Sequence, residues 1–99
     1  MILQNKIALI TGASRGVGAA TAIKLAESGS KVAINYNQSK TQAELVASRC
    51  REIGTEAIIL QGDVAEDATC RSMVQKTLST FGGLDILINN AGTTRFIDF

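Results

Sequence analysis

The 99 residues predict an α/β fold in which a doubly wound parallel sheet alternates with helices. Four short runs rich in Ile and Val recur at near-regular spacing, helical patterns fill the gaps between them, and glycines mark the junctions. The runs are mostly continuous rather than alternating, as in strands covered on both faces. A β-α-β-α-β-α-β order of this kind implies right-handed crossovers.

The first strand is KIALIT, residues 6–11, and TGASRGVG, residues 11–18, carries the chain into a helix. That helix runs from Val17 to Ser28: Val17, Ala20, Ile23 and Ala26 recur at intervals of three, and Gly29 supplies the stop. KVAINY at 31–36 is the second strand. Ala43, Val46, Ala47, Cys50 and Ile53 then form a helical stripe ended by Gly54. EAIILQGD at 56–63 is the third strand. The helix after it extends from about Ala65 to Phe81, with Met73, Val74, Thr77, Leu78 and Phe81 on one face ahead of Gly82 and Gly83. LDILINN at 84–90 is the fourth strand. Proline, linkers and low-complexity segments are absent from the sequence.

Composition narrows the function. A chain of 99 residues, 45% hydrophobic and 19% charged, reads as one globular domain with a thin core. Its net charge of +1 comes from singly scattered basic residues, which argues against nucleic acid or a membrane surface as the partner. With no histidine and no C-x-x-C pair, neither a zinc site nor a histidine base is expected. Cys50 and Cys70 read as reduced thiols. No apolar run approaches the ~20 residues of a membrane span, and the N-terminus lacks a basic region and a cleavage site. A cytoplasmic location is expected.

The glycines carry the functional signal. A helix N-terminus presents unpaired N–H groups and a partial positive charge, so it can hold a pyrophosphate if nothing bulky blocks the backbone. Gly12 would permit the tight turn, Gly16 close approach of phosphates, and Gly18 close packing of helix on sheet.

The spacing is T-G-x-x-x-G-x-G, and with it the chain resembles the N-terminal half of the short-chain dehydrogenase/reductase family. TGASRGVG at 11–18 matches that family's cofactor motif, GDV at 62–64 the acid after its third strand, and LDILINNAG at 84–92 its NNAG segment. In appearance the chain is similar to 3-oxoacyl-[acyl-carrier-protein] reductases. The resemblance implies a Rossmann-type sheet of strand order 3-2-1-4, with residues 1–99 forming an incomplete N-terminal NAD(P)-binding part. It also implies cofactor contacts from Gly12, Ser14, Arg15, Gly16, Val17, Gly18, Tyr36, Asp63, Val64, Asn90, Ala91 and Gly92.

Which dinucleotide is expected follows from position 36. The ribose reader stands about twenty residues past the glycine turn, and counting from Gly16 reaches Tyr36. An acid there would accept from the 2′-hydroxyl of NAD and repel the 2′-phosphate of NADP; tyrosine has no charge to do either. Arg15 could pair with that phosphate, and in the resembled family a basic residue at this position commonly accompanies NADP(H). NADP(H) is thus expected in preference to NAD(H), with Ser14, Asn37, Ser39 and Lys40 as helpers. Two roles suit Asp63: contact with the adenine amino group, which the resemblance implies, and an N-cap for the following helix. The resemblance places Asn90, Ala91 and Gly92 beside the cofactor riboses and leaves Asn89 a structural task.

YNQSK at 36–40 fits Tyr-x-x-x-Lys, the family's catalytic signature, but it follows the second strand at the adenosine end of the cleft. No catalytic role is expected of it. The family's catalytic serine, its Tyr-x-x-x-Lys helix and its later strands lie beyond NNAG, whereas the chain ends at Phe99. The expected function is therefore the cofactor-binding half of an oxidoreductase that transfers hydride between nicotinamide and a carbonyl or alcohol carbon, with little activity alone. Alternatives are a non-catalytic nucleotide-binding module and a fragment that pairs with a longer homologue. The exposed edge of strand 84–90, with Ile86, Leu87 and Ile88 partly uncovered, predicts self-association.

Overall fold

A computed structural model describes residues 2–90. Its elements follow the expected order: β1 Ile7–Thr11, α1 Gly16–Glu27, β2 Lys31–Tyr36, α2 Lys40–Ile53, β3 Ala57–Gln61, α3 Asp67–Phe81 and β4 Ile86–Asn89. Every strand pairing is parallel, and the sheet runs β3-β2-β1-β4. This is the Rossmann-like 3-2-1-4 arrangement.

Position in the sheet explains the strand sequences. All five residues of β1 are buried, and in β2 only Lys31 is not. Such strands have no solvent face, so their apolar residues run on without alternation. The edges differ: β3 and β4 are mostly half-buried, Ile86, Leu87 and Ile88 among them. Among the described residues β4 pairs only with β1. Its entry is fixed by Asp85, whose Oδ2 accepts the Ile7 N–H at 2.9 Å while its own N–H donates to the Ile7 carbonyl at 2.9 Å.

Alternate side chains of the strands feed two cores, as the twofold strand period requires. Ala8, Ile10, Val32 and Ile34 point toward α1 and α2, where Ala22, Ala26, Ala43 and Ala47 meet them. Leu9 and Ala33 point to the other face, against Met73 of α3.

Two expectations need correction. The buried residues of α1 are Gly18, Ala22 and Ala26, spaced at four, whereas Val17 is 73% exposed and Ala20 is also exposed. Ala26 and Ile23 do face the core, but the interval of three drifts off the contact face at Val17 and Ala20, because that face consists largely of small residues spaced at four, which let α1 approach the sheet closely. The third helix begins at Asp67 rather than near Ala65, since residues 63–66 form a separate turn. The α2 stripe is as expected, with Ala43, Val46, Ala47 and Cys50 buried and Ile53 half-buried.

Cys50 seals the contact between α1 and α2. Its Sγ lies 3.9 Å from the Ala22 carbonyl, and burial pushes the thiol up to about 11 from 9.0, with the Arg51 charge pulling the other way. The folded thiol therefore keeps its proton at a pH where the unfolded one has lost it. Its contribution is complete below pH 9 and is lost as pH rises toward 11. Relative to Cys50→Ala, the chain should lose about 2–3 kcal/mol across that window, read as diverging denaturant midpoints.

Candidate functional site

The carboxyl ends of all four strands open on one edge of the sheet, at Thr11, Tyr36, Gln61 and Asn89. Ligands of open parallel sheets bind at such an edge. The chain leaves β1 through Gly12, at φ +59°, passes the buried Ala13, and enters α1 at Gly16, at φ +62°. Arg15 occupies the N-cap position in an extended conformation and is exposed. No side chain caps α1, and no acidic residue stands in its first turn. Among the described residues, neither a side-chain cap nor a first-turn acid thus neutralises the partial positive charge of the helix end.

Gly18 serves a different purpose from Gly16. A Cβ on Gly18 would lie 2.5 Å from the Gly12 carbonyl oxygen, 2.7 Å from Asn90 Nδ2 and 3.0 Å from the Ala13 Cα. A Cβ on Gly16 would meet nothing within 4 Å. Gly18 is therefore required by close approach and Gly16 by its left-handed backbone, which leaves open space in front of the helix.

The fourth strand braces this turn. Thr11 Oγ1 accepts the Asn90 N–H at 2.9 Å and lies 3.1 Å from Asn89 Oδ1 and 3.4 Å from the Ile88 carbonyl. Asn90 Nδ2 donates to the Gly12 carbonyl at 3.3 Å. Asn89 thus belongs to the bracing and Asn90 reaches the turn itself. Ala91 and Gly92 lie outside the described residues.

Asp63 follows β3 and is exposed; its Oδ1 accepts the Ala65 N–H at 2.9 Å and its carbonyl accepts the Glu66 N–H at 3.2 Å. It closes the turn before α3, whose N-cap position is held by Glu66, so Asp63 is not the cap of that helix and the capping expectation is not met. The half-buried Val64 packs against the core that contains Met73, and its carbonyl accepts the Cys70 S–H at 3.3 Å. Tyr36 is only 7% exposed and sits in the core facing α2, while its carbonyl accepts the Gly62 N–H at 2.9 Å. Ser14 is half-buried, and Lys40, the first residue of α2, is exposed. An open groove of about 430 Å³ beside Asp63 is lined by Glu66, Thr69, Ser72 and Met73 among others. It holds none of the glycine-turn residues, and its two carboxylates make it unsuited to a phosphate. Among the described residues no cluster of three His, Cys, Asp or Glu could hold a metal ion, and no helix is long and apolar enough to cross a membrane.

One residue of the site escaped sequence reasoning. Asn35, within the apolar second strand, is 2% exposed and accepts the Gly12 N–H on Oδ1 at 3.0 Å. An amide within an apolar strand signals that buried partners exist, though the sequence does not say which.

The two glycine requirements are separable by substitution. Gly16→Ala should cost about 1–2 kcal/mol for its left-handed backbone, and Gly16→Asn should recover part of it because Asn tolerates that region. Gly18→Ala should cost about 1–3 kcal/mol through overpacking, and Gly18→Asn should be worse. Thermal melts of the four variants distinguish these patterns.

Comparison with known proteins agrees with this geometry. Residues 6–99 match the short chain dehydrogenase family. The 3-oxoacyl-[acyl-carrier-protein] reductase FabG of Staphylococcus epidermidis is 45% identical over 91 residues, covering 92% of this chain and 37% of the reductase. Versicolorin reductase 1 of Aspergillus parasiticus is 44% identical over 94 residues, covering 95% of this chain and 36% of the relative. Among solved structures, a short chain dehydrogenase from Burkholderia cenocepacia in complex with NADP superposes with a TM-score of 0.91 at 46% identity, over 96% of this chain and 39% of that one. A short-chain dehydrogenase/reductase from Serratia marcescens gives 0.90 at 42% identity, over 94% and 38%. The chain thus spans well under half the length of the relatives it matches, and over that span its sequence and fold are similar to theirs. It belongs to the short-chain dehydrogenase/reductase family.

Proposed function

We propose that residues 1–99 are the nucleotide-binding part of an NADP(H)-dependent short-chain oxidoreductase. The observation that carries this reading is the uncapped N-terminus of α1 behind a glycine turn, with no acid in its first turn and Arg15 exposed beside it. The Burkholderia relative that shares the fold was solved with NADP, and the Staphylococcus and Aspergillus relatives are reductases by name.

The residues present fit such a cofactor. Gly12, Gly16 and Gly18 form the turn, and the space before Gly16 admits a pyrophosphate against the first amides of α1. Ser14, half-buried, and Arg15, exposed, are assigned to the 2′-phosphate, and the exposed Val17 to the same turn. Tyr36, being uncharged, removes the repulsion that an acid would exert there. Asp63 and Val64 are assigned to the adenine side and Asn90 to the riboses; Ala91 and Gly92 carry the same assignment from the family resemblance alone. When bound, nicotinamide supplies or accepts the hydride. No residue of this chain is assigned to proton transfer, and the parts that choose a carbonyl or alcohol substrate are assigned to the remaining length that the relatives possess. A cytoplasmic location accords with this function.

A second reading draws on the fourth strand. β4 pairs on one side only among the described residues, and its Ile86, Leu87 and Ile88 are half-buried. This edge would pair with a second copy or with a longer homologue.

Two measurements test these readings. In parallel fluorescence titrations the chain should bind NADPH saturably and more tightly than NADH. Arg15→Ala should weaken NADPH by roughly 1.5–3 kcal/mol, the value of a hydrogen bond to a charged group, with little effect on NADH. Equal losses for both cofactors would remove the assignment of Arg15. In sedimentation velocity, self-association should appear as a boundary that moves faster with concentration, and a single monomer boundary throughout would exclude pairing through β4.

A further inference from the structure

We infer that Asn35 is a positioning residue, whose side-chain amide sets the glycine turn at a fixed distance from the loop that carries Asp63. This rests on the reading of the turn as a nicotinamide dinucleotide site. The amide is buried, with 2% exposure, at the end of β2. On one side Oδ1 accepts the Gly12 N–H at 3.0 Å. On the other, Nδ2 lies 3.1 Å from the Leu60 carbonyl, 3.1 Å from the Gly62 carbonyl, 3.3 Å from the Tyr36 carbonyl and 3.0 Å from Met73 Sδ. Nδ2 has two hydrogens, so it serves two of these four acceptors at a time.

The topology gives this contact its importance. In the order β3-β2-β1-β4, β1 and β3 are not neighbours, so no ladder bond joins their ends. Gly12 has left β1 and Gly62 has left β3. Asn35 spans the strand between them, with an acceptor toward one loop and a donor toward the other. An amide carries the two on separate atoms, so it can face one loop with each, whereas a hydroxyl has both on a single oxygen. A carboxylate would present oxygen to the Leu60 and Gly62 carbonyls, and an aliphatic side chain would leave the Gly12 N–H without its partner.

That asymmetry gives a specific test. In Asn35→Asp the new carboxyl would be buried against carbonyl oxygens, so its pKa would rise well above the ordinary carboxylate value. The partners that face it from the glycine turn, β2, β3 and α3 are backbone groups and the Met73 thioether, none of which titrates. Of the ionisable residues, Tyr36 lends its carbonyl as one of these partners and Asp63 follows the partner Gly62 in sequence. Protonated, the carboxyl regains one donor while keeping an acceptor.

The experiment is calorimetric titration of NADP+ into the wild-type chain, Asn35→Asp and Asn35→Leu at about pH 8 and about pH 5.5, each variant compared with wild type at the same pH so that titration of the 2′-phosphate cancels. Amide exchange of Gly12 without nucleotide is recorded by NMR alongside. Ala13 is the internal control, because its N–H donates to the backbone carbonyl of Asn35, at 2.9 Å, which neither substitution removes. Both variants should bind roughly tenfold or more weakly at the higher pH, the scale expected when a buried donor is orphaned. The Asn35→Asp deficit should shrink at the lower pH and that of Asn35→Leu should not. Gly12 exchange should accelerate in Asn35→Leu while that of Ala13 stays as in wild type.

Wild-type affinity in folded variants, or a deficit with no pH relief in Asn35→Asp, would overturn the inference. If the wild-type chain itself fails to bind NADP+, the proposed function falls. Gly12 exchange then still decides the tie: selective acceleration supports it and an unchanged rate overturns it. If Asn35→Leu does not fold, Asn35→Asp at the lower pH carries the comparison, and failure of both to fold would reduce Asn35 to a core residue.

Discussion

Gly12 is held from both sides. Its N–H meets Asn35 Oδ1 at 3.0 Å and its carbonyl meets Asn90 Nδ2 at 3.3 Å, so side chains from β2 and from the end of β4 fix one peptide unit on each side of the same residue. The path into α1 depends on that constraint. With Gly12 placed, Gly18 must come within contact of its carbonyl, which a side chain at position 18 would prevent. The direction of α1, and with it the direction in which the first amides of the helix point, follows from a turn only a few residues long. A strand that merely ended at Thr11 would leave this segment free to choose among turn conformations at small cost.

The sheet supplies what the turn cannot. β1 and β2 are the central strands, and the residues that flank Gly12 and Asn35 in sequence are among the most buried in the chain: Ile10, Ala13 and Ile34 are each 0% exposed. Dense packing on both faces restricts movement of the strand ends, which is what a site built from backbone groups requires. The cores on the two faces are unequal. The side covered by α1 and α2 is rich in alanine, which brings those helices close, whereas the α3 side depends on the larger Met73, whose sulfur also reaches Asn35. Packing and polar anchoring of the site thus share a residue.

The strands were legible in the sequence because burial on both faces removes alternation and leaves a continuous apolar run; their order in the sheet was implied only by the family resemblance. The buried face of α1 was not. Gly18, Ala22 and Ala26 are weakly hydrophobic, and Val17 outweighs them in any pattern although it is 73% exposed. The start of α3 was misplaced for a related reason: Asp63 looks like a cap, and it does accept an N–H two residues on, but the turn it closes is not helical. Asn35 could not be read locally. Its partners stand between 23 and 38 residues away, apart from its neighbour Tyr36, so only the assembled sheet shows what one amide in an apolar strand is for.

Position 36 illustrates how specificity can come from what a site lacks. The Tyr36 side chain is directed into the core, so what β2 offers at its end is largely backbone, and that backbone is already engaged with Gly62. Discrimination between two ligands is a difference in affinities, and it can be set by repulsion as well as attraction. On the proposed reading, burial of an uncharged ring leaves no carboxylate near the ribose and nothing that opposes a phosphate. On the same reading Arg15, exposed at the N-cap of α1, would be the attractive element. An exposed charge interacts weakly with its own surface because water screens it. On the proposed reading it would gain most against a 2′-phosphate held in place by a pyrophosphate already bound at the α1 N-terminus, so the preference would depend on Arg15 and α1 together.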